Sequence, residues 1–231
     1  TEPIVTGVAP LRPEIIHRDG AVRQGARGAA TRLAPLAWLP QRAARGQVTH
    51  LAAAATPPLD VVVCGLGYAT PPVDGQRVVG ASYMLDDDET QDRLVEHQDN
   101  LSRLDLILPG FARGVDPQTL SGRVGFRPAS PDRLPMVGPV PRSDAGGDLT
   151  RLVDLPLQPG CWCLQGYGSR GIVWSALMAE LVASRIDGDP LPLEHELADA
   201  VHPGRFLLRH KRRHGPGTPL VSARMDSPPA A

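Results

Sequence analysis

The segment that most restricts the fold is Gly166-Tyr167-Gly168-Ser169-Arg170-Gly171. It joins two apolar runs, residues 161–165 and residues 172–186. The first is short and reads as a buried strand. The second is long enough for a helix, is apolar nearly all round, and is therefore expected to be buried. The spacing matches GxGxxG, which means little without its context. A dinucleotide fold needs a second parallel strand after the helix, ending in an acid. Here the helix runs into Asp187-Gly188-Asp189-Pro190-Leu191-Pro192, and too little chain follows for a βαβαβ unit. What remains is a strand, a glycine loop and a helix. Free N–H groups and the positive helix end would face whatever lies over the loop, either a phosphate or a ring with partial negative charge. Gly65-Leu66-Gly67 is a second glycine pair, but Pro71 and Pro72 forbid a helix directly after it.

Composition narrows the fold class. Gly and Pro number 24 and 25 in 231 residues, which favours a loop-rich α/β or α+β protein over a helical bundle. A 42% hydrophobic share supplies a core. The net charge of −1 excludes a surface that is basic throughout, though not a local basic patch. Aromatics at 4% weaken any stacking platform for bases. Lys211 is the only lysine, and arginine carries the remaining positive charge. Cys64, Cys161 and Cys163 form no disulfide pattern and no zinc spacing, so reduced thiols and a cytoplasmic location are expected. No stretch is long enough to span a membrane, and no signal peptide is visible. The chain opens on Thr1, which reads as a piece of something longer.

Along the chain, residues 1–44 show no sustained period. Regular signals begin at Arg45, with strands expected at 46–51, 59–64 and 77–83, the last two joined through the turn dipeptide Asp74-Gly75. The acids of residues 86–90 are expected to open a helix, with Leu94, Leu101, Leu104 and Leu108 as its apolar stripe. The same acids could instead hold a divalent cation. Another strand is expected at 122–128. Past Pro203 the chain turns basic (RHKRRH, 209–214), as a solubilising tail or a contact for a polyanion. Four sections result: a poorly patterned or truncated section at 1–44, a substrate domain at 45–160, a return segment at 161–208, and a basic, disordered tail at 209–231.

Arg123 and Arg127 stand four apart on the expected strand and so share a face. Arg127 leads into the proline-rich loop PASPDRLPMVGP. An arginine held on a strand suits two-bond capture of a carboxylate, and equally a salt bridge to a structural acid.

RGQVTH (45–50), GRVGFRPASPDRLPMVG (122–138), GYGSRGIVWSALMAELVASRI (166–186) and PLPLEHELADAVHPGRFLLR (190–209) occur in this order. Together they resemble the C-terminal part of the D-amino-acid-oxidase-like FAD oxidoreductases. More narrowly, they resemble the oxidase module of the bacterial MnmC family, which modifies the wobble uridine of tRNA. The resemblance covers roughly residues 31–209. It implies a mixed or antiparallel substrate-domain sheet and a flavin-contacting strand–loop–helix, with the N-terminal Rossmann half that holds FAD absent from this chain. It places Gly166, Tyr167, Gly168, Ser169, Arg170 and Gly171 at the flavin, near its pyrimidine edge. It gives Arg127 the substrate carboxylate, and sets Arg45, Gln47 and Arg123 on the substrate side. The implied reaction removes the carboxymethyl group from 5-carboxymethylaminomethyl uridine as glyoxylate, with O2 or another electron acceptor. The implied partners are tRNA, a fused or separate methyltransferase domain and an FAD-binding segment. Oxidation of a free amino acid or secondary amine, as in glycine or sarcosine oxidases, and an inactive remnant are the competing readings.

Overall fold

The computed structural model describes residues 4–9, 12–15, 23–24 and 36–215. Two compact units emerge, one of residues 1–42 and 127–231, the other of residues 43–126. The chain therefore passes through the first unit twice.

In its first pass it forms strands β1 (Ile4–Ala9), β2 (Arg12–Ile15) and β3 (Arg23–Gln24). These strands correct the unpatterned reading at residues 4–9, 12–15 and 23–24, while the rest of that reading over residues 1–35 lies outside the described residues. The partner of β1 is distant in sequence: β1 pairs in parallel with β11 (Leu157–Gln165), while β2 pairs antiparallel with β1. A pairing made so far along the chain leaves no local period to read. The second pass adds β10 (Met136–Pro141), antiparallel to β11, giving a mixed sheet in the order β10-β11-β1-β2-β3. Helices α2 (Gly171–Asp187), α3 (His195–Ala200) and α4 (Gly204–His214) follow. Two apolar clusters hold this unit. One gathers Leu36, Trp38, Leu39, Met136, Cys163, Phe206 and Leu207. The other gathers Val137, Leu164, Tyr167, Met178, Leu181 and Val201.

The second unit is built on the long strand β4 (Arg42–Ala52). Strands β5 (Val63–Cys64), β6 (Tyr68–Ala69) and β7 (Gln76–Gly80) run up to it in the order β5-β6-β7-β4, and β8 (Met84–Leu85) and β9 (Ser121–Ala129) also pair with β4. Asp74 and Gly75 both have positive φ, as a tight primed turn requires. The strand expected at 59–64 shrinks to two residues, and Val61 and Val62 are exposed. The Arg77 guanidinium explains this: it donates to the carbonyls of Pro57 (2.9 Å) and Leu59 (3.3 Å), holding that stretch off the ladder.

Helix α1 (Leu94–Ile107) starts after the acidic run, not within it. Asp87 takes the Arg93 guanidinium, and the Glu89 carboxylate accepts from the N–H groups of Thr90 and Gln91. Those contacts use the acids in a loop before the helix, and no metal-type cluster occurs among the described residues. Three of the four leucines of the expected stripe pack together, Leu104 buried and Leu101 and Leu108 against the same cluster. Leu94 is exposed, and Glu96, His97 and Asn100 extend the buried face instead.

Helix α2 meets its expected position but not its expected burial. Gly171, Met178, Leu181, Val182 and Ser184 face inward, at helical spacing. Ile172 and Val173 are each 80% exposed, and Leu177 and Ile186 are also open. Among the described residues nothing covers that second apolar face. The basic stretch is likewise ordered rather than a tail as far as His214. Arg209 to His214 complete α4, whose Phe206, Leu207, Leu208 and Lys211 are buried.

Candidate active site

The glycine loop and the end of the arginine strand meet within the first unit. Ala129, the last residue of β9, makes an isolated antiparallel bridge with Tyr167. Arg127 lies two residues earlier, on the same strand face as Ala129. Its side chain is half-buried and pairs with no carboxylate among the described residues.

Gly166 opens the loop with φ +78°, a conformation that side chains resist. A Cβ there would come within 3.1 Å of the Met136 methyl and 3.5 Å of Ser130. Gly168 follows at φ +56° and begins a short 3₁₀ turn, Gly168–Arg170, which feeds directly into α2. Arg170 N–H donates to the Tyr167 carbonyl at 3.1 Å. Gly166 and Tyr167 are buried, whereas Ser169 and Arg170 are exposed. The loop is therefore tight at its base and open at its helix end. Burial pushes the Tyr167 phenol up, with Cys163 adding to the effect.

A clamp holds the proline loop between Arg127 and β10. The Arg205 guanidinium donates to both oxygens of Asp132, each at 2.9 Å, and to the Leu134 carbonyl at 2.9 Å. Arg209 adds a third bond to Asp132, at 2.6 Å. Burial alone would raise the Asp132 carboxyl. The Arg205 and Arg209 contacts and the Leu134 N–H outweigh it and bring the group down to about 2. Sequence reasoning had no means to pair residues so far apart.

One further contact was not foreseen. Gln41 Nε2 donates to Gln165 Oε1 at 2.7 Å, across 124 residues of sequence. The outer atoms of both amides, Gln41 Oε1 and Gln165 Nε2, are buried without a partner, as is the Tyr167 hydroxyl. Orphaned polar atoms beside a strained glycine cradle fit a flat polar ring or phosphate better than they fit a closed core.

The remaining candidates lie in the second unit. Arg45 is fully buried. It donates to Glu96 through Nη1, to the Glu89 carbonyl at 2.7 Å and to the Gln91 carbonyl at 2.7 Å. Gln47, also fully buried, accepts from Arg93 N–H at 2.7 Å and donates to the Arg93 carbonyl at 2.9 Å. Ser82 donates to the other Glu96 oxygen. In this geometry Arg45 and Gln47 spend their polar atoms fastening α1 and its leading loop to β4. Arg123 is exposed and without a carboxylate partner among the described residues.

In the basic stretch, Lys211 donates to the Ala145 and Gly147 carbonyls from a buried position. Arg209 is tied to Asp132. Arg212, Arg213 and His214 are the exposed remainder. No helix among the described residues is long and apolar enough to cross a membrane.

Comparison with known proteins identifies the family and the fold. Residues 25–185 match the family model described as DAO, FAD dependent oxidoreductase. A tRNA 5-methylaminomethyl-2-thiouridine biosynthesis bifunctional protein MnmC from Aromatoleum aromaticum is 54% identical over 188 residues, covering 81% of this chain and 30% of its own. The protein of the same name from Paraburkholderia xenovorans is 43% identical over 210 residues, covering 87% and 32%. Among solved structures, iminodiacetate oxidase from Chelativorans sp. BNC1 overlays with a TM-score of 0.52 at 21% identity, covering 86% of this chain and 52% of its own. Glycine oxidase from Bacillus cereus gives 0.52 at 18%, covering 86% and 51%. The chain thus spans about a third of the curated relatives it matches and about half of these solved oxidases. The fold is that of the D-amino-acid-oxidase-like enzymes, and the chain belongs to the DAO family of FAD-dependent oxidoreductases.

Proposed function

We propose that this chain is the substrate-facing part of an FAD-dependent enzyme that removes the carboxymethyl group from 5-carboxymethylaminomethyl uridine in tRNA. The observation that carries the reading is Arg127. A half-buried guanidinium, without a carboxylate partner among the described residues, stands two residues from the bridge that joins β9 to the glycine loop. A planar fork of that kind binds a substrate carboxylate with two parallel bonds.

Gly166 to Gly171 would lie against the flavin. The flavin, when bound, supplies the acceptor for the hydride from the carbon between the amine and the carboxylate. The chain's own part is placement. Arg127 holds the carboxylate end, so the carbon to be oxidised sits one bond from the group that is held. The loop's tight base keeps bulk away from the ring, and the N-terminus of α2 favours negative charge over the loop. After oxidation, hydrolysis of the resulting C=N bond releases glyoxylate and leaves the aminomethyl base. The exposed apolar face of α2, around Ile172 and Val173, is where an FAD-binding segment would pack. Relatives bearing the name of a bifunctional tRNA 5-methylaminomethyl-2-thiouridine biosynthesis protein support tRNA as the substrate. On this reading a methyltransferase domain is the partner and the cytoplasm the place.

The test uses the chain joined to an FAD-binding segment. Glyoxylate release is measured from tRNA carrying the modified uridine, and from free glycine and sarcosine. Release from tRNA, with binding that weakens steeply with salt, supports the reading. Turnover of the free amines alone would replace it with a small-amine oxidase.

A further inference from the structure

We propose that Gln41 and Gln165 form a paired amide reader for a cyclic imide edge, a ring C=O beside a ring N–H, presented over the Gly166 loop. The proposal rests on the reading that this loop faces a flavin and a modified uridine, because both rings carry such an edge.

Six buried side-chain polar atoms lack partners among the described residues. Four of them, Trp38 Nε1, Gln41 Oε1, Gln165 Nε2 and Tyr167 Oη, fall in the two short segments that flank this site. A buried donor or acceptor without a partner is costly, so a cluster of them points to a missing partner. The Gln41–Gln165 bond at 2.7 Å fixes both amides. It uses one N–H and one carbonyl and leaves one carbonyl and one amide nitrogen free. Turning both amides over exchanges their roles and leaves the same sum. The pair therefore offers one acceptor and one donor, the complement of an imide edge. Gln165 is fully buried and directly precedes Gly166, whose positive φ turns the chain into the loop. Its strand neighbour across β10 is Met136, which the Gly166 position also crowds. Gln165 is thus anchored in the sheet at the residue that leads into the cradle. A side chain there that merely filled space would not need an amide.

The test titrates the purified chain with riboflavin and with 3-methylriboflavin, read by flavin fluorescence. It does the same with uridine and 3-methyluridine, read by ligand NMR. Methylation at N3 removes the ring N–H and changes little else. The expected result is saturable binding of a parent ring and roughly tenfold weaker binding of its methylated form, the size of one well-placed hydrogen bond. Discrimination between the flavins assigns the pair to the cofactor, and discrimination between the uridines assigns it to the substrate base. Gln165→Leu should erase the discrimination without altering affinity for the methylated ring. Should that variant fail to fold, the comparison on the unaltered chain decides alone. The proposal is overturned if neither parent ring binds, or if each binds no better than its methylated form. Loss of glyoxylate release from tRNA with the imide discrimination intact would sink the proposed function and leave this inference standing.

Discussion

Arg127 acts by shape as much as by charge. Replacing it with Lys keeps the charge but removes the two-bond fork. In the enzyme joined to its FAD-binding segment, Arg127→Lys should lower kcat/KM for the carboxylated substrate by about ten- to a hundredfold, equivalent to about 1.5–3 kcal/mol for a charge-assisted hydrogen bond. Unchanged steady-state kinetics would make Arg127 structural and turn attention to Arg123. His202 gives a prediction of a different kind. Burial first, then the nearby charges of Arg185 and Arg205, bring its imidazole down to about 3, and its Nδ1 accepts from Gly204 N–H at 3.0 Å. The unfolded chain takes up this proton near the ordinary value of 6.5. The folded chain refuses it until about 3, so stability is lost as pH falls between those values. Urea denaturation across that range should show the decline, and His202→Gln should flatten it. Asp132 acts in the same direction lower down, from its ordinary 3.8 towards about 2. Arg127 and the glycine loop were legible because each is a local motif. The Gln41–Gln165 pair and the Asp132 clamp were not, because each forms only when distant segments meet.

At the scale of elements, α4 shows how burial redistributes a charge run. Read as sequence, Arg209, Lys211, Arg212 and Arg213 are one basic patch. In the helix, Lys211 turns inward onto two carbonyls and Arg209 braces Asp132, so Arg212 and Arg213 are what the run offers to a polyanion. Arg212→Gln with Arg213→Gln should leave thermal stability nearly unchanged. If these arginines touch tRNA, the pair of changes should reduce the slope of log affinity against log salt by just under one unit for each phosphate no longer neutralised. Lys211→Met should do the reverse, costing about 1–3 kcal/mol of stability by stranding the Ala145 and Gly147 carbonyls and leaving the salt slope alone. Thermal melts and filter binding on the two variants separate these roles. Helix α1 carries the same lesson with the opposite sign. Its leucines suggested an apolar seam, and Leu101, Leu104 and Leu108 form one, but its first turn buries Glu96, which meets Arg45. Periodicity identifies a helix. It does not reveal that a buried charge on a neighbouring strand needs a partner.

At the scale of the whole molecule, a two-pass route gives β1 its parallel partner, and among the described residues α2 keeps an uncovered apolar flank. Free FAD should therefore bind this chain weakly, since one loop cannot replace a pyrophosphate site. Ultrafiltration should recover most of the flavin unbound, and joining an FAD-binding segment should give a yellow protein. Stoichiometric flavin retained by the chain alone would contradict the assignment of the ADP-binding contacts to that segment. Ile172→Glu should be nearly neutral in the isolated chain and should abolish colour in the joined form. The order of the sequence motifs led to the expectation of a strand–loop–helix at 161–186, and β11, the glycine loop and α2 occur there. Sequence did not show the open flank, because an all-apolar helix looks the same whether or not something covers it. The single lysine has a use of its own. Its ammonium lies under the loop at Ala145 and Gly147, and its flanking peptide bonds lie inside a helix. A lysine-specific protease thus has one site in the chain and can reach it only when α4 lifts away. The rate of that single cut reports how often the end of the helix opens, with no label and no mutation.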